Sequence, residues 1–143
     1  MRELSRYLFV AGGLVLLLLG TVHVVLTPQH PGERRGLSPV DPAVEESMTR
    51  ARVRLSDRMD MWRAWVGFNL SHSLGVSLLG LTVLLVGRTS ASFAFNAALF
   101  LPLAVIVSFA YLGLAVVYWF RGPVIGVGLA VALFVSAWTL HTS

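Results

Sequence analysis

Four uncharged stretches of bilayer length, about Leu8–Thr27, Trp65–Gly87, Phe93–Trp119 and Pro123–Leu140, set most of what this chain can fold into. An α-helix rises about 1.5 Å per residue, so roughly 20 apolar residues match the hydrocarbon layer of a membrane. Inside lipid a backbone must satisfy its own polar groups, which makes each stretch a helix. Composition agrees: 56% of the 143 residues are hydrophobic and 13% are charged. A soluble domain of that size could not hide so much apolar surface. Arg88 separates spans two and three, and Arg121 separates three and four. Such short connections predict antiparallel neighbours. The expected fold is therefore all-α, a four-transmembrane-helix antiparallel bundle forming a single integral membrane domain over residues 1–143. The third stretch is the longest and should tilt or emerge from the apolar core at one end, with a kink at Pro102, which lacks a backbone donor. Span one follows the basic residues Arg2 and Arg6, as a signal peptide would. Its apolar run is too long for that and no small-x-small cleavage pattern follows, so it reads as a retained helix.

Residues 28–63 are the only sizeable polar segment. They open with Thr27-Pro28-Gln29-His30-Pro31-Gly32, a helix stop and an irregular turn. Asp41-Pro42, with Glu45 and Glu46, then makes a helix start of cap, first-turn proline and acids at the positive dipole end. Met48, Ala51, Leu55, Met59 and Trp62 recur at spacings of three and four, with Arg50, Arg52, Arg54, Arg58 and Arg63 around them. That pattern predicts an amphipathic interfacial helix over 42–62, lying on the membrane or capping the bundle. A solvated helix with intrahelical pairs such as Arg54–Asp57 fits the same pattern.

An even number of spans puts both termini on one side and the 28–63 loop on the other. That loop and Arg121 carry eight arginines, against three for the N-terminus and Arg88. The positive-inside rule then favours a cytoplasmic loop, while Arg2 and Arg6 ahead of the first helix argue the reverse. Trp62, Trp65, Tyr118 and Trp119 fall at one expected interface, with Tyr7 and Trp138 near the other, as an aromatic belt. The eleven basic residues are all arginine and lift the isoelectric point to about 10.7. They sit beside hydrophobic spans, so membrane lipids rather than nucleic acid are the expected partners.

The polar residues inside the spans are few and concentrated. His23 lies near the end of span one and His72 near the start of span two, so both belong to one leaflet. The helical rise puts His23 roughly 6 Å deep and His72 roughly 10 Å deep. Asn69, His72 and Ser73 are three and four residues apart and share a face. Beside them, Gly67, Ser71 and Gly75 form a small-xxx-small ridge suited to close helix approach. Gly122, Gly126 and Ala130 repeat that pattern in span four. Span three returns with Ser108 and with Tyr111, which is roughly 12 Å deep by the same rise. His23, Asn69, His72, Ser73 and Tyr111 are thus the candidate ligand-binding residues. The alternative is that they only bond neighbouring helices, each for about 1 kcal/mol or less. His30 reads as a loop residue and His141 as a terminal interfacial one.

Several chemistries are removed. There is no cysteine, hence no disulfide, thiolate metal site or thiol nucleophile. Ser71 and His72 are adjacent and diverge on a helix, so they make no nucleophile–base pair. No acid lies within a span, which removes the carboxylate proton relays of pumps and the ligands of di-metal oxidases. Two histidines fall short of a catalytic zinc site, so no metal is expected. They suffice as axial ligands of a haem b only across a slot wide enough for the macrocycle.

The run Met61-Trp62-Arg63-Ala64-Trp65-Val66-Gly67-Phe68-Asn69-Leu70-Ser71-His72-Ser73-Leu74-Gly75, with Gly20-Thr21-Val22-His23, resembles a family of small four-helix bacterial integral membrane proteins. That family pairs a Gly-x-x-His first helix with a Trp-x-Gly-Phe-Asn-x-Ser-His-x-x-Gly second helix. The resemblance implies a bacterial inner (cell) membrane location and directs attention to Gly20, His23, Gly67, Asn69, Ser71, His72 and Gly75. It brings no activity with it. Three functions stay open: binding of a lipid, quinone or other small apolar ligand; an accessory or assembly subunit of a membrane protein complex; and a haem-binding or histidine-dependent redox enzyme.

Overall fold

The computed structural model describes residues 1–143. It contains helices α1 (Arg2–Leu26), α2 (Pro42–Arg50), α3 (Met61–Gly87), α4 (Ser90–Tyr118) and α5 (Arg121–Thr142). Between α2 and α3 lies an antiparallel hairpin of β1 (Arg52–Val53) and β2 (Ser56–Asp60). The helices α1, α3, α4 and α5 are the four long and apolar enough to cross a membrane. Each begins before its uncharged stretch, because neither a charge nor a small polar residue ends the backbone hydrogen-bond ladder. Thr89 caps α4 by accepting from the Ser92 amide at 3.1 Å. The helix α4 then continues through Pro102.

The chain divides into two compact units. The first comprises residues 1–19 and 76–143. In it the start of α1 lies beside the ends of α3 and α5: Arg6 donates to the Gly87 carbonyl at 3.0 Å and Ser5 to the Ala137 carbonyl at 2.6 Å. Those contacts make α1 antiparallel to both, and they put the two ends of the chain at the same end of this unit. Phe9 packs between Phe93 and Phe134, with ring centroids 5.5 and 5.8 Å away. Around them Leu16, Val83, Ala97, Leu101 and Ala130 are buried. Lipid is as apolar as leucine, so such helices gain from close packing rather than from escaping water. Helices α1 and α3 approach closely, and a Cβ on Gly80 would stand 2.7 Å from the Gly13 carbonyl oxygen and from the Leu17 nitrogen. Of the two small-residue ridges, the one on α5 is used: a Cβ on Gly126 would meet Leu19 at 2.8 Å, and Ala130 is fully buried. The ridge on α3 is not used at Gly67, which has nothing within 4 Å, nor at Ser71, which is exposed.

The second unit, residues 20–75, holds the polar loop. Its backbone closes the end of α1: the Leu37 amide donates to Leu26 at 3.0 Å, and Arg35 donates to Val25 at 3.1 Å. Those are carbonyls with no partner within the helix. Glu33 accepts from the Gln29 amide and pairs with Arg35, and the Gln29 bond holds its carboxyl below the usual carboxylate range. Gly32 has a positive φ of 90°, a conformation that favours glycine, and its amide donates to the buried Glu45. Asp41 caps α2 through the Ala43 amide at 2.8 Å, as the Asp-Pro start predicts.

The helix expected over 42–62 stops at Arg50, and residues 52–60 pair as strands instead. Two local bonds favour that outcome. Ser56 Oγ accepts from the Arg58 amide, and Asp60 Oδ1 accepts from the Arg63 amide at 2.8 Å, starting α3 afresh. A continuous helix would forfeit that cap. Spacings of three and four thus placed Leu55 and Met59 on a stripe that does not exist.

The Gly80 contact is with backbone, which cannot swing aside, so Gly80→Ala should lower unfolding free energy by about 1–3 kcal/mol. Gly67→Ala meets open space and should be neutral or stabilising by up to about 1 kcal/mol. Reversible unfolding in mixed detergent micelles, followed by tryptophan fluorescence, checks the ordering of the two.

Candidate functional site

Four of the five expected residues fall in one unit, and the side chains of three of them meet. Near the end of α1, His23 Nε2 lies 3.0 Å from Asn69 Oδ1 on α3. The rings of His23 and His72 have centroids 5.3 Å apart at an interplanar angle of 57°. Phe68, four residues before His72 on the same helix, stacks with it at 6.2 Å. Asn69 is 3% exposed, whereas both imidazoles are half-buried.

Hydrogen-bond chemistry fixes the orientation of this pair. Asn69 Nδ2 donates to the Trp65 carbonyl at 2.8 Å, and a carbonyl oxygen can only accept. The amide must therefore present its Oδ1 to His23. That oxygen also only accepts, so the proton between them resides on His23 Nε2 in either charge state of the ring. Flipping the amide would set oxygen against oxygen at Trp65. In its neutral form His23 then has Nδ1 as its acceptor atom. Thr27 reinforces the helix end below it, donating to the His23 carbonyl at 2.8 Å.

Ser73 shares the buried face with Asn69 as the helical spacing predicts, and its hydroxyl donates to the Asn69 carbonyl at 2.8 Å. It braces the helix, and its proton is not available to a ligand there. Tyr111 belongs to the other unit, half-buried against that unit's core. Ser108 is fully buried there, with no hydrogen-bond partner for its hydroxyl. Sequence reasoning missed Phe68 and Thr27, each four residues from a histidine, a spacing that could have found both.

No group of three metal-ligating side chains occurs. Axial ligation of a haem would need each imidazole nitrogen about 2 Å from an iron, with the macrocycle between the rings. Here His23 Nε2 is engaged by Asn69, and the ring centroids at 5.3 Å stand about 1 Å closer than two imidazoles sharing one iron would. The arrangement can instead donate and accept hydrogen bonds, through one oriented imidazole and one beside it. Comparison with protein-family models, curated proteins and solved structures finds no match.

A double-mutant cycle tests the contact. His23→Ala and Asn69→Ala should be coupled by about 1 kcal/mol in detergent unfolding, the usual size for an interhelical polar bond. Asn69→Ala with His30→Ala, a loop histidine, should be additive.

Proposed function

We propose that this chain is a multi-pass protein of the bacterial inner membrane that binds a lipid, quinone or other small apolar molecule carrying a hydrogen-bonding head. His23 and His72 contact that head, and Asn69 is a positioning residue that orients His23. The observation that supports this most is the Trp65–Asn69–His23 relay, which spends Asn69 on fixing a ring that flanks a second imidazole. Packing alone needs one interhelical bond; a second imidazole at the same level adds donor and acceptor capacity suited to a ligand. In this reading the long loop is cytoplasmic, and α2 lies along the interface with Val44 and Met48 toward lipid.

A second reading, an accessory or assembly subunit of a larger membrane complex, is favoured by the outward face of α3. Gly67 there has nothing within 4 Å, and Ser71 and Phe68 are exposed. Small residues on an uncovered membrane helix suit a partner helix.

Native mass spectrometry of the detergent-purified protein separates the two. The ligand reading predicts a retained small apolar molecule in the wild type that is lost in His72→Leu, with stability changed by no more than about 1 kcal/mol. An empty wild type that co-purifies with a partner chain, and loses it on Gly67→Leu, would replace this reading with the second. Neither reading predicts a Soret band, so an absorbance spectrum showing one would overturn both.

A further inference from the structure

Between α2 and α3 the hairpin turns through Arg54 and Leu55, and the Leu55 side chain is 96% exposed. Met59 and Met61 beside it are also exposed. The loop's other arginines have acidic partners: Arg34 pairs with Glu45, Arg35 with Glu33 and Arg50 with Glu46. Arg52, Arg54, Arg58 and Arg63 are exposed and make no ion pair. Residues 51–63 hold only Asp57 and Asp60 against those four cations, and Asp60 is engaged in capping α3.

Position matters as much as charge. Strand β2 ends at Asp60 and α3 begins at Met61, with no linker between them. Trp65 opens the uncharged run of α3, so the root of the hairpin stands about 7 Å along the helix from the apolar layer. A strand of five residues reaches roughly 17 Å, more than the roughly 5–8 Å of one headgroup region, so the tip can reach the acyl edge from there. A bare leucine and four unpaired guanidinium groups are thus tethered where phospholipid phosphates lie.

We infer that the hairpin Arg52–Asp60 is a docking element for anionic phospholipid, with Leu55 entering the acyl region and Arg52, Arg54, Arg58 and Arg63 contacting phosphates. Arginine suits this role because its planar fork meets phosphate oxygens in pairs and its stem stays apolar. The charge pattern selects an anionic bilayer over a second copy of the chain, whose matching hairpin would bring like charges together. The inference is independent of the His23–His72 reading, since it uses no residue of that site.

The chain has no cysteine, so Leu55→Cys carrying an environment-sensitive fluorophore reports the hairpin tip alone. The labelled full-length protein is placed, one copy per disc, in nanodiscs of phosphatidylcholine with or without phosphatidylglycerol. Docking predicts blue-shifted emission, quenched by spin-labelled lipid tails, in the anionic discs. The docked fraction should fall on removing phosphatidylglycerol, on raising salt, and by about fivefold for each of Arg52, Arg54 and Arg58 changed to Gln. Unfolding curves matching the Leu55→Cys parent confirm that those exposed changes leave the fold intact. Water-like emission in every disc would overturn the inference, as would equal docking in pure phosphatidylcholine. A blue shift seen only with two copies per disc would assign the surface to a second chain instead.

Discussion

Lipid offers no hydrogen bonds, and that single lack governs how this chain places its polar side chains. Most of them turn back on their own helices: Thr27 to His23, Ser73 to Asn69, Thr82 to Leu78 and Asn96 to Ser92. Such bonds satisfy a hydroxyl or amide and say nothing about neighbouring helices. Ser5 reaches across to α5, near the end of its helix. The His23–Asn69 bond is of another kind, a long side chain on α1 meeting an amide on α3 whose other half is already committed. It joins the end of α1 to the start of α3.

Helix approach is set by the same absence of water. With no hydrophobic gain from association, contact area has to come from close approach, and close approach needs small residues. Gly13 and Gly80 bring α1 and α3 to backbone distance, and Gly12 admits the ring of Phe134. The polar loop obeys the opposite rule. There the end of α1 is closed by loop amides and guanidinium groups, and Glu45 is buried against the Gly32 amide and Arg34. Order in that segment comes from charge-assisted bonds.

The four long helices were legible because charge is so costly in lipid that its absence marks them, while their ends were not, since a helix can outrun its apolar stretch. The start of α2 was legible from Asp41-Pro42, a local cap. Residues 51–60 were misread because a spacing of three and four on so short a segment is also compatible with a turn. The decisive signal, Asp60 as a new cap, lies outside the stripe. Helical spacing correctly put Asn69 and Ser73 on one buried face. It could not tell that Ser73 would be spent on its own helix, nor that His23 would choose Asn69. Those outcomes depend on helix rotation, which spacing along one helix does not carry.

Asn69 orients His23, and nitrogen NMR of histidine-labelled protein in lipid reports that directly. At a pH where the ring is neutral, His23 should show a protonated Nε2 and an unprotonated Nδ1, a preference that fades in Asn69→Ala. A His23 ring protonated on Nδ1, or one indifferent to the loss of Asn69, would contradict it.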